Sequence, residues 1–172
     1  MSEVPKVNDF QIEIGQKLGV DLKGETRKVA AAKILDEIAR AIDFDSSLID
    51  PSRDEPTEKQ IEYAESAFGI DISEDTYRVA LAKISDGQLK RNLEALDEKE
   101  LTEGEDVIFT EEMKGKIIKK AFTISTIKPN GHIFFKGSNS GAAWAFQVDK
   151  IPDDFEYECK DDNVQFLDHR VD

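Results

Sequence analysis

Apolar residues recur at helical spacing in the first half of the chain and alternate with polar residues in the second half. In the segment "AAKILDEIARAI", the spacing of Ile34, Ile38 and Ile42 places them on one stripe, which predicts an amphipathic helix. From Glu105 onward, β-branched and aromatic residues dominate in "DVIFT", "GKIIKKAFTISTI", "HIFFKG" and "AAWAFQV", which predicts short strands. The two patterns predict an α+β protein in which helices precede a sheet.

The helical half contains an internal duplication. Residues 18–36 and 68–86, offset by 50, are identical at nine of nineteen positions, and the "QIE" at 11–13 recurs at 60–62. Each copy predicts a short helix that ends at Gly19 or Gly69, an extended link and a second helix. The helical region therefore covers residues 1–100, with copies at about 8–42 and 57–98. The segment "GQLKRNLEALDEKEL" predicts one more helix after the second copy.

Several residues of the repeat have predicted local roles. Thr57 is expected to cap the first helix of the second copy, and Ser73 the second helix. The repeated Asp21 and Asp71 are interpreted as turn formers. The repeated lysine, Lys33 in the first copy, is either a binding residue or a solvated side chain at the edge of the apolar stripe.

The second half, residues 101–172, predicts a small, strongly curved antiparallel β-barrel with an acidic C-terminal hairpin. The segment "KPNGH" supplies Asn130 and Gly131, a pair suited to a hairpin turn with positive φ, and "GSNSG" is a second loop. Four short strands joined by such turns are typical of small barrels. The tail adds "FEYEC" and "VQFLD" around a "KDDN" turn.

Both halves resemble known modules. The helix, link and helix of "LGVDLKGETRKVAAAKILD" and "FGIDISEDTYRVALAKISD" resemble SAP-type helix-extended-helix modules, which are associated with DNA. The order of "EDVIFTEEMKGKIIKKAFTISTIKPNGHIFFKG" resembles the KOW and Tudor-like small barrels. This second resemblance implies a barrel of the kind used in nucleic-acid binding and in protein contacts.

Charge is unevenly distributed in this chain of 172 residues, whose formal net charge is −14. Residues 1–100 carry −9 and residues 151–172 carry −6, whereas residues 113–148 contain six lysines and no carboxylate. One cysteine, Cys159, and two histidines form no zinc-binding pattern, so neither a metal nor another cofactor is expected. The chain lacks a long apolar run and a signal sequence at "MSEVPKVNDF", which predicts a cytoplasmic protein without membrane contact.

The cationic, aromatic segment is the predicted contact surface. Lysines neutralise phosphates and exposed rings stack on bases, so these residue types suit single-stranded nucleic acid. In "HIFFK", alternation places Phe134 with His132 on one face and Phe135 on the other, which leaves open which phenylalanine is exposed. Each ring either contacts a ligand or fills the core. The candidate ligand-binding residues are Lys114, Lys116, Lys119, Lys120, Lys128, Lys136, Phe122, His132, Phe135 and Trp144.

Other classes of function are weighed against nucleic-acid binding. An enzyme is not expected, although E-x-K sequences at 112–114 and 158–160 match part of a metal-dependent nuclease pattern, with Asp106 or Asp153 as the upstream carboxylate. A protein-interaction adaptor is the main alternative. Its acidic helices would dock a basic partner or imitate a nucleic-acid backbone. The sequence thus predicts a non-enzymatic binding protein, with nucleic acid as the first candidate ligand and a protein as the second.

Overall fold

The computed structural model describes residues 3–41, 55–113, 115–137 and 141–153. These residues form four α-helices followed by an antiparallel sheet, which confirms the predicted α+β class. The chain divides into two compact units, residues 3–90 and the residues from 91 onward. Among the described residues, no helix combines the length and the apolar character that crossing a bilayer requires.

The helical unit contains two helices from each copy of the repeat. Asn8 and Thr57 each form a capping box with the glutamine three residues later, which satisfies backbone N–H groups at the helix start. Both of these helices end at a left-handed glycine, Gly19 or Gly69, as predicted. The helices are α1 (Asp9–Leu18), α2 (Arg27–Ala41), α3 (Glu58–Phe68) and α4 (Tyr77–Lys99).

Each copy has a small apolar core where its two helices pack together. The repeated lysines lie at the edge of these cores and are ion-paired: Lys33 Nζ is 2.5 Å from Glu25, and Lys83 Nζ is 2.7 Å from Asp75. Each lysine therefore ties its helix to the loop that precedes it. The core residues are Leu22, Ala30 and Ile34 in the first copy and, at equivalent positions, Ile72, Ala80 and Ile84 in the second.

The two copies contact each other reciprocally through α2 and α4. The hydroxyl of Thr26 donates a hydrogen bond to Asp86, and the hydroxyl of Thr76 donates one of 2.6 Å to Asp36. Because these threonines and aspartates are equivalent positions 50 residues apart, the two copies are related by an approximate two-fold axis. The buried apolar residues at this interface are Val29, Ala32 and Val79.

The link before the second helix forms the predicted turn in both copies. The carboxylates of Asp21 and Asp71 accept hydrogen bonds of 3.0 and 2.9 Å from the backbone N–H two residues later. The backbone and the hydroxyl of Ser73 both donate to Asp71 and hold the pKa of that carboxyl below its usual value. The prediction that Ser73 caps α4 is therefore wrong, and Thr76 accepts the hydrogen bond from the Val79 N–H instead.

The helix predicted after the second copy is not separate. α4 continues through Gly87 to Lys99, although glycine is unfavourable inside a helix. Glycine is required at position 87 because Phe68 packs closely there. A Cβ atom at this position would lie 2.8 Å from the Phe68 ring. Residues 91–99 of α4 belong to the second unit.

The strands of the second unit are β1 (Asp106–Met113), β2 (Lys116–Ile127), β3 (His132–Phe135), β4 (Ala142–Trp144) and β5 (Val148–Lys150). They form a five-stranded antiparallel sheet with the strand order β4-β3-β2-β1-β5. The hairpin between β2 and β3 turns at Gly131, whose φ is 81°, as "KPNGH" predicts. The last predicted strand is interrupted by a 3-10 turn, Ala145–Gln147, and becomes two. The predicted C-terminal hairpin lies outside the described residues.

The sheet is not closed by hydrogen bonds over the described residues, so the predicted barrel closure is not shown. The sheet is nevertheless strongly curled, because only Ala145–Gln147 connects β4 to β5 at the opposite edge. Four interstrand spacings of about 4.8 Å would separate the edges of a flat sheet by about 19 Å. Four residue steps, from Trp144 to Val148, span at most about 14 Å. The two edges must therefore turn toward each other.

One face of the sheet and the last turns of α4 share an apolar core. Lys99, near the end of α4, anchors the 3-10 turn: its Nζ donates to the carbonyls of Ala145, Phe146 and Val148, the last at 2.5 Å, and lies 2.9 Å from Asp149. These contacts join α4 to the 3-10 turn and to β5, and the Ala145 carbonyl also accepts a hydrogen bond from the Val148 N–H. The buried core residues include Ala95, Val107, Ile124, Ile133, Phe135 and Val148.

Candidate functional site

Alternation along β3 separates the core face of the sheet from its surface. Phe135 is 6% exposed and belongs to the core, whereas Phe134 is 36% exposed on the opposite face. His132 lies on the same face as Phe134 and pairs with Trp144 of β4. Trp144 is 38% exposed. The structure thus settles which of the two adjacent phenylalanines reaches the surface.

Three rings form a cluster on this outer face, hereafter the ring cluster: His132, Phe134 and Trp144. The His132 and Trp144 rings are stacked, with centroids 4.5 Å apart and planes 26° from parallel. The Phe134 ring is tilted against His132 at a centroid distance of 4.6 Å. Lys128 Nζ lies 5.9 Å from the centre of the Phe134 ring, within range of a cation–π contact. Flat aromatic surface and a cation therefore lie side by side.

The other two predicted stacking residues pack with the core, where Phe135 is buried and Phe122 is half-buried against it. Phe122 and Phe135 stack on each other with centroids 4.5 Å apart and planes 13° from parallel. The Phe109 ring lies beside both of them, with its centroid 6.4 Å from each. These two phenylalanines stabilise the core, and they do not take part in the ring cluster.

The predicted lysines are divided between two places. Lys128 lies beside the ring cluster, and the exposed Lys136 follows β3. Lys119 is exposed and Lys120 half-buried toward the other end of β2. Lys128 lies nine residue steps after Lys119, about 30 Å along an extended chain. Lys114 lies outside the described residues, and the description of Lys116 extends to its backbone only.

The hairpin that presents the ring cluster is held in place from both sides. The Asn130 side chain accepts a hydrogen bond of 3.2 Å from the His132 N–H. Gly131 is buried against α4, where a Cβ atom would meet the Cβ of Asn92 at 2.6 Å. One carboxylate reaches this hairpin, because Glu103 accepts a hydrogen bond of 3.1 Å from the Ile127 N–H. The rings are thus mounted on a well-supported turn.

Two of the carboxylates proposed for a nuclease, Asp106 and Glu112, do not come together, and Glu158 lies outside the described residues. Asp106 and Glu112 lie six residues apart on β1, a separation of about 20 Å in an extended strand. Two carboxylates that share a divalent ion must lie within a few ångströms of each other. Asp106 instead accepts a hydrogen bond of 2.5 Å from Thr123. Within the described residues, no three His, Cys, Asp or Glu side chains form a group that could hold a metal ion.

Comparison of the chain with protein-family models, with curated proteins and with solved structures gives no significant match.

Proposed function

We propose that this protein binds nucleic acid and that bases stack on the ring cluster. The observation that carries the proposal is the exposed aromatic group beside Lys128 on the outer face of β3 and β4. Rings at a surface offer bases a stacking platform, while lysines neutralise the phosphates. Residues 113–148 contain no carboxylate, which favours an anionic ligand over a cationic one. We further propose that the curled sheet is a small barrel of the KOW and Tudor-like kind.

The test uses the full chain with labelled single-stranded and duplex oligonucleotides. Trp144 is the only tryptophan, so its fluorescence reports directly on the site. Stacking of a base should quench this fluorescence, and anisotropy of the labelled strand should give the affinity at several salt concentrations. We expect affinity to fall steeply as salt increases, because binding releases counterions from the phosphates.

Two substitutions separate stacking from charge. Trp144→Ala should weaken binding by about 5- to 150-fold, since one stacked base contributes about 1–3 kcal/mol. Lys128→Gln should reduce the slope of log affinity against log salt by about one. Phe10→Ala is the matched control, because Phe10 is 69% exposed but lies on α1 of the helical unit. No binding to any polynucleotide at low salt would refute the proposal.

A protein-interaction adaptor is the second candidate, and one observation favours it. Leu35 and Ile38, about one helical turn apart on α2, and Leu81 on α4 are each at least 40% exposed, and exposed large apolar side chains are frequent at protein contacts. The helical unit would then provide the binding surface. This candidate gains if nucleic acid does not bind and if Leu35→Asp abolishes self-association or partner binding without unfolding the chain.

A further inference from the structure

Arg91, on the part of α4 that belongs to the second unit, lies over an aromatic ring. Its guanidinium carbon is 4.3 Å from the centre of the Phe146 ring in the 3-10 turn, well within the range of a cation–π contact. Phe146 is half-buried and packs against the core, whereas Arg91 is exposed. The guanidinium therefore contacts the ring on one side and is open to solvent on the other.

This guanidinium has no carboxylate partner among the residues that the structure describes. Arg40 and Arg78, by contrast, each pair with a carboxylate. Glu94, three residues after Arg91 on α4, has an interaction partner of its own. In a chain whose formal net charge is −14, an exposed guanidinium without a carboxylate is available to an anion from outside the chain.

Arg91 lies close to the ring cluster, because three segments of the second unit meet beside it. Gly131 packs against α4, where a Cβ atom would lie 2.6 Å from the Cβ of Asn92. The Gly131 carbonyl also accepts a hydrogen bond of 2.9 Å from the Ala145 N–H. The cation of α4 and the rings of β3 and β4 therefore lie around one point. The residues next in sequence to these three are Arg91, His132, Trp144 and Phe146.

The surroundings of this point favour an anion. Residues 126–137 and 142–148 contain Lys128 and Lys136 and no carboxylate. Lys128, like Arg91, lies over a ring. A guanidinium presents its N–H groups as a planar fork that matches two oxygens of one phosphate, and a ring beneath it keeps that fork oriented.

We propose that Arg91 binds a backbone phosphate of the strand whose base stacks on Trp144, and that Phe146 holds the guanidinium in position. This inference rests on the proposed function and adds to it a cation from α4, outside the predicted set of lysines. Two residue steps separate Trp144 from Phe146, at most about 7 Å of main chain. Single-strand sites on OB-fold barrels extend over about four nucleotides or more, so one strand can reach both residues.

The test measures how the affinity of the full chain for a labelled single-stranded oligonucleotide depends on salt. Arg91→Gln should reduce the slope of log affinity against log salt by about 0.7, because one phosphate fewer is neutralised. At about 0.1 M salt this slope corresponds to about fivefold weaker binding. The quenching of Trp144 at saturation should not change, because the base still stacks.

Two further variants control for charge. Arg91→Lys should keep the slope but weaken binding, because lysine retains the charge without the planar fork. Arg27→Gln is the matched control, since Arg27 is an exposed arginine of α2 in the helical unit. It removes the same charge from the chain and should bind as the unmodified chain does.

Phe146→Leu tests the role of the ring. Leucine retains apolar packing against the core but offers no π face to the guanidinium. Binding should weaken, and Arg91→Gln should then have a smaller effect than it has in the unmodified chain, because the two residues act together. Equal effects of Arg91→Gln in both backgrounds would show that Phe146 does not position Arg91.

The outcomes separate this inference from the proposed function. Binding that depends on Trp144, with a salt slope that Arg91→Gln leaves unchanged, would overturn the phosphate contact and leave the proposed function intact. An equal loss in Arg27→Gln would assign the effect to net charge and would also overturn the contact. If Arg91→Gln does not fold, Arg91→Lys decides, because an affinity equal to that of the unmodified chain would refute the fork. No binding at low salt would overturn both proposals.

Discussion

The reciprocal contact between the two copies allows one prediction to be made with an internal control. Asp36 and Asp86 are equivalent in the repeat and are 4% and 8% exposed. Asp36 accepts hydrogen bonds from Thr76 and, at 3.2 Å, from Arg78 Nε. For Asp86 the structure shows the contact with Thr26. Replacing each aspartate with alanine therefore removes two partners at one site and one at the other.

The magnitudes follow from this difference. A hydrogen bond to a charged group contributes about 1.5–3 kcal/mol, so Asp86→Ala should lower the free energy of unfolding by about 2 kcal/mol. Asp36→Ala also removes the carboxylate that the Arg78 guanidinium contacts at 3.2 Å. Because the Arg78 side chain is 28% exposed, water compensates in part, and we expect a total loss of about 3–4 kcal/mol. A unit of this size has a stability of roughly 5–10 kcal/mol, so Asp36→Ala should remain folded but fragile.

The assay is urea unfolding of the full chain, followed by circular dichroism at 222 nm to report the helices. Trp144 fluorescence provides a separate signal from the sheet unit. Glu37→Ala is the surface control, because Glu37 forms an exposed pair with Arg40 and such pairs contribute at most about 1 kcal/mol. If Asp36→Ala and Asp86→Ala lower the free energy of unfolding equally, the assignment of the extra stabilisation to Arg78 is wrong.

Three further predictions concern single residues. Gly131→Ala places a side chain at a positive φ of 81° and against a close neighbour, and it should destabilise the sheet unit by about 3 kcal/mol. Gly104→Ala is the control: Gly104 also has a positive φ but has open space around it, so the loss should be about 1–2 kcal/mol. Equal losses in urea unfolding would show that the close contact at Gly131 does not add to the cost. Lys99→Met removes the donor to three carbonyls and should cost about 2 kcal/mol by tryptophan fluorescence; an unchanged midpoint would show that water replaces the ammonium. Ser73→Ala should raise the pKa of Asp71 toward its usual value, as measured by NMR titration of the carboxyl carbon. The ionised carboxylate stabilises the fold, and this contribution is lost as pH falls through the lowered pKa; a pKa unaffected by the substitution would refute the role of the hydroxyl.

The helical unit was predictable where its signals are local. The glycines that end α1 and α3 and the cap at Thr57 act within a few residues of their own positions. The contact between Thr26 and Asp86 spans 60 residues, so the sequence shows that these positions are repeated but not that they bind each other. The error at Ser73 has the same origin. A serine hydroxyl near a helix start can cap the helix or bond to a neighbouring side chain, and the backbone conformation decides between the two. Ser73 donates to Asp71.

The surface site was predictable in part, for a reason that lies in strand geometry. Alternation shows that Phe134 and His132 share a face, but either face of β3 could have packed inward. The burial of Ile133 and Ala143 identifies the inner face. These two residues are paired across β3 and β4, so the inner face is known only once the strand pairing is known. The ring cluster also depends on His132 lying opposite Trp144, twelve residues away. No local pattern specifies that register.

The approximate two-fold axis of the helical unit has a consequence for how its surface can change. In a dimer of identical chains, a substitution alters both sides of the axis at once. Here the equivalent positions have already diverged: Leu35 corresponds to Ser85, and Leu81 corresponds to Ala31. The surface around these positions therefore differs between the two copies of one chain. Either copy can acquire a new contact there while the reciprocal contacts of Thr26 with Asp86 and of Thr76 with Asp36 are kept.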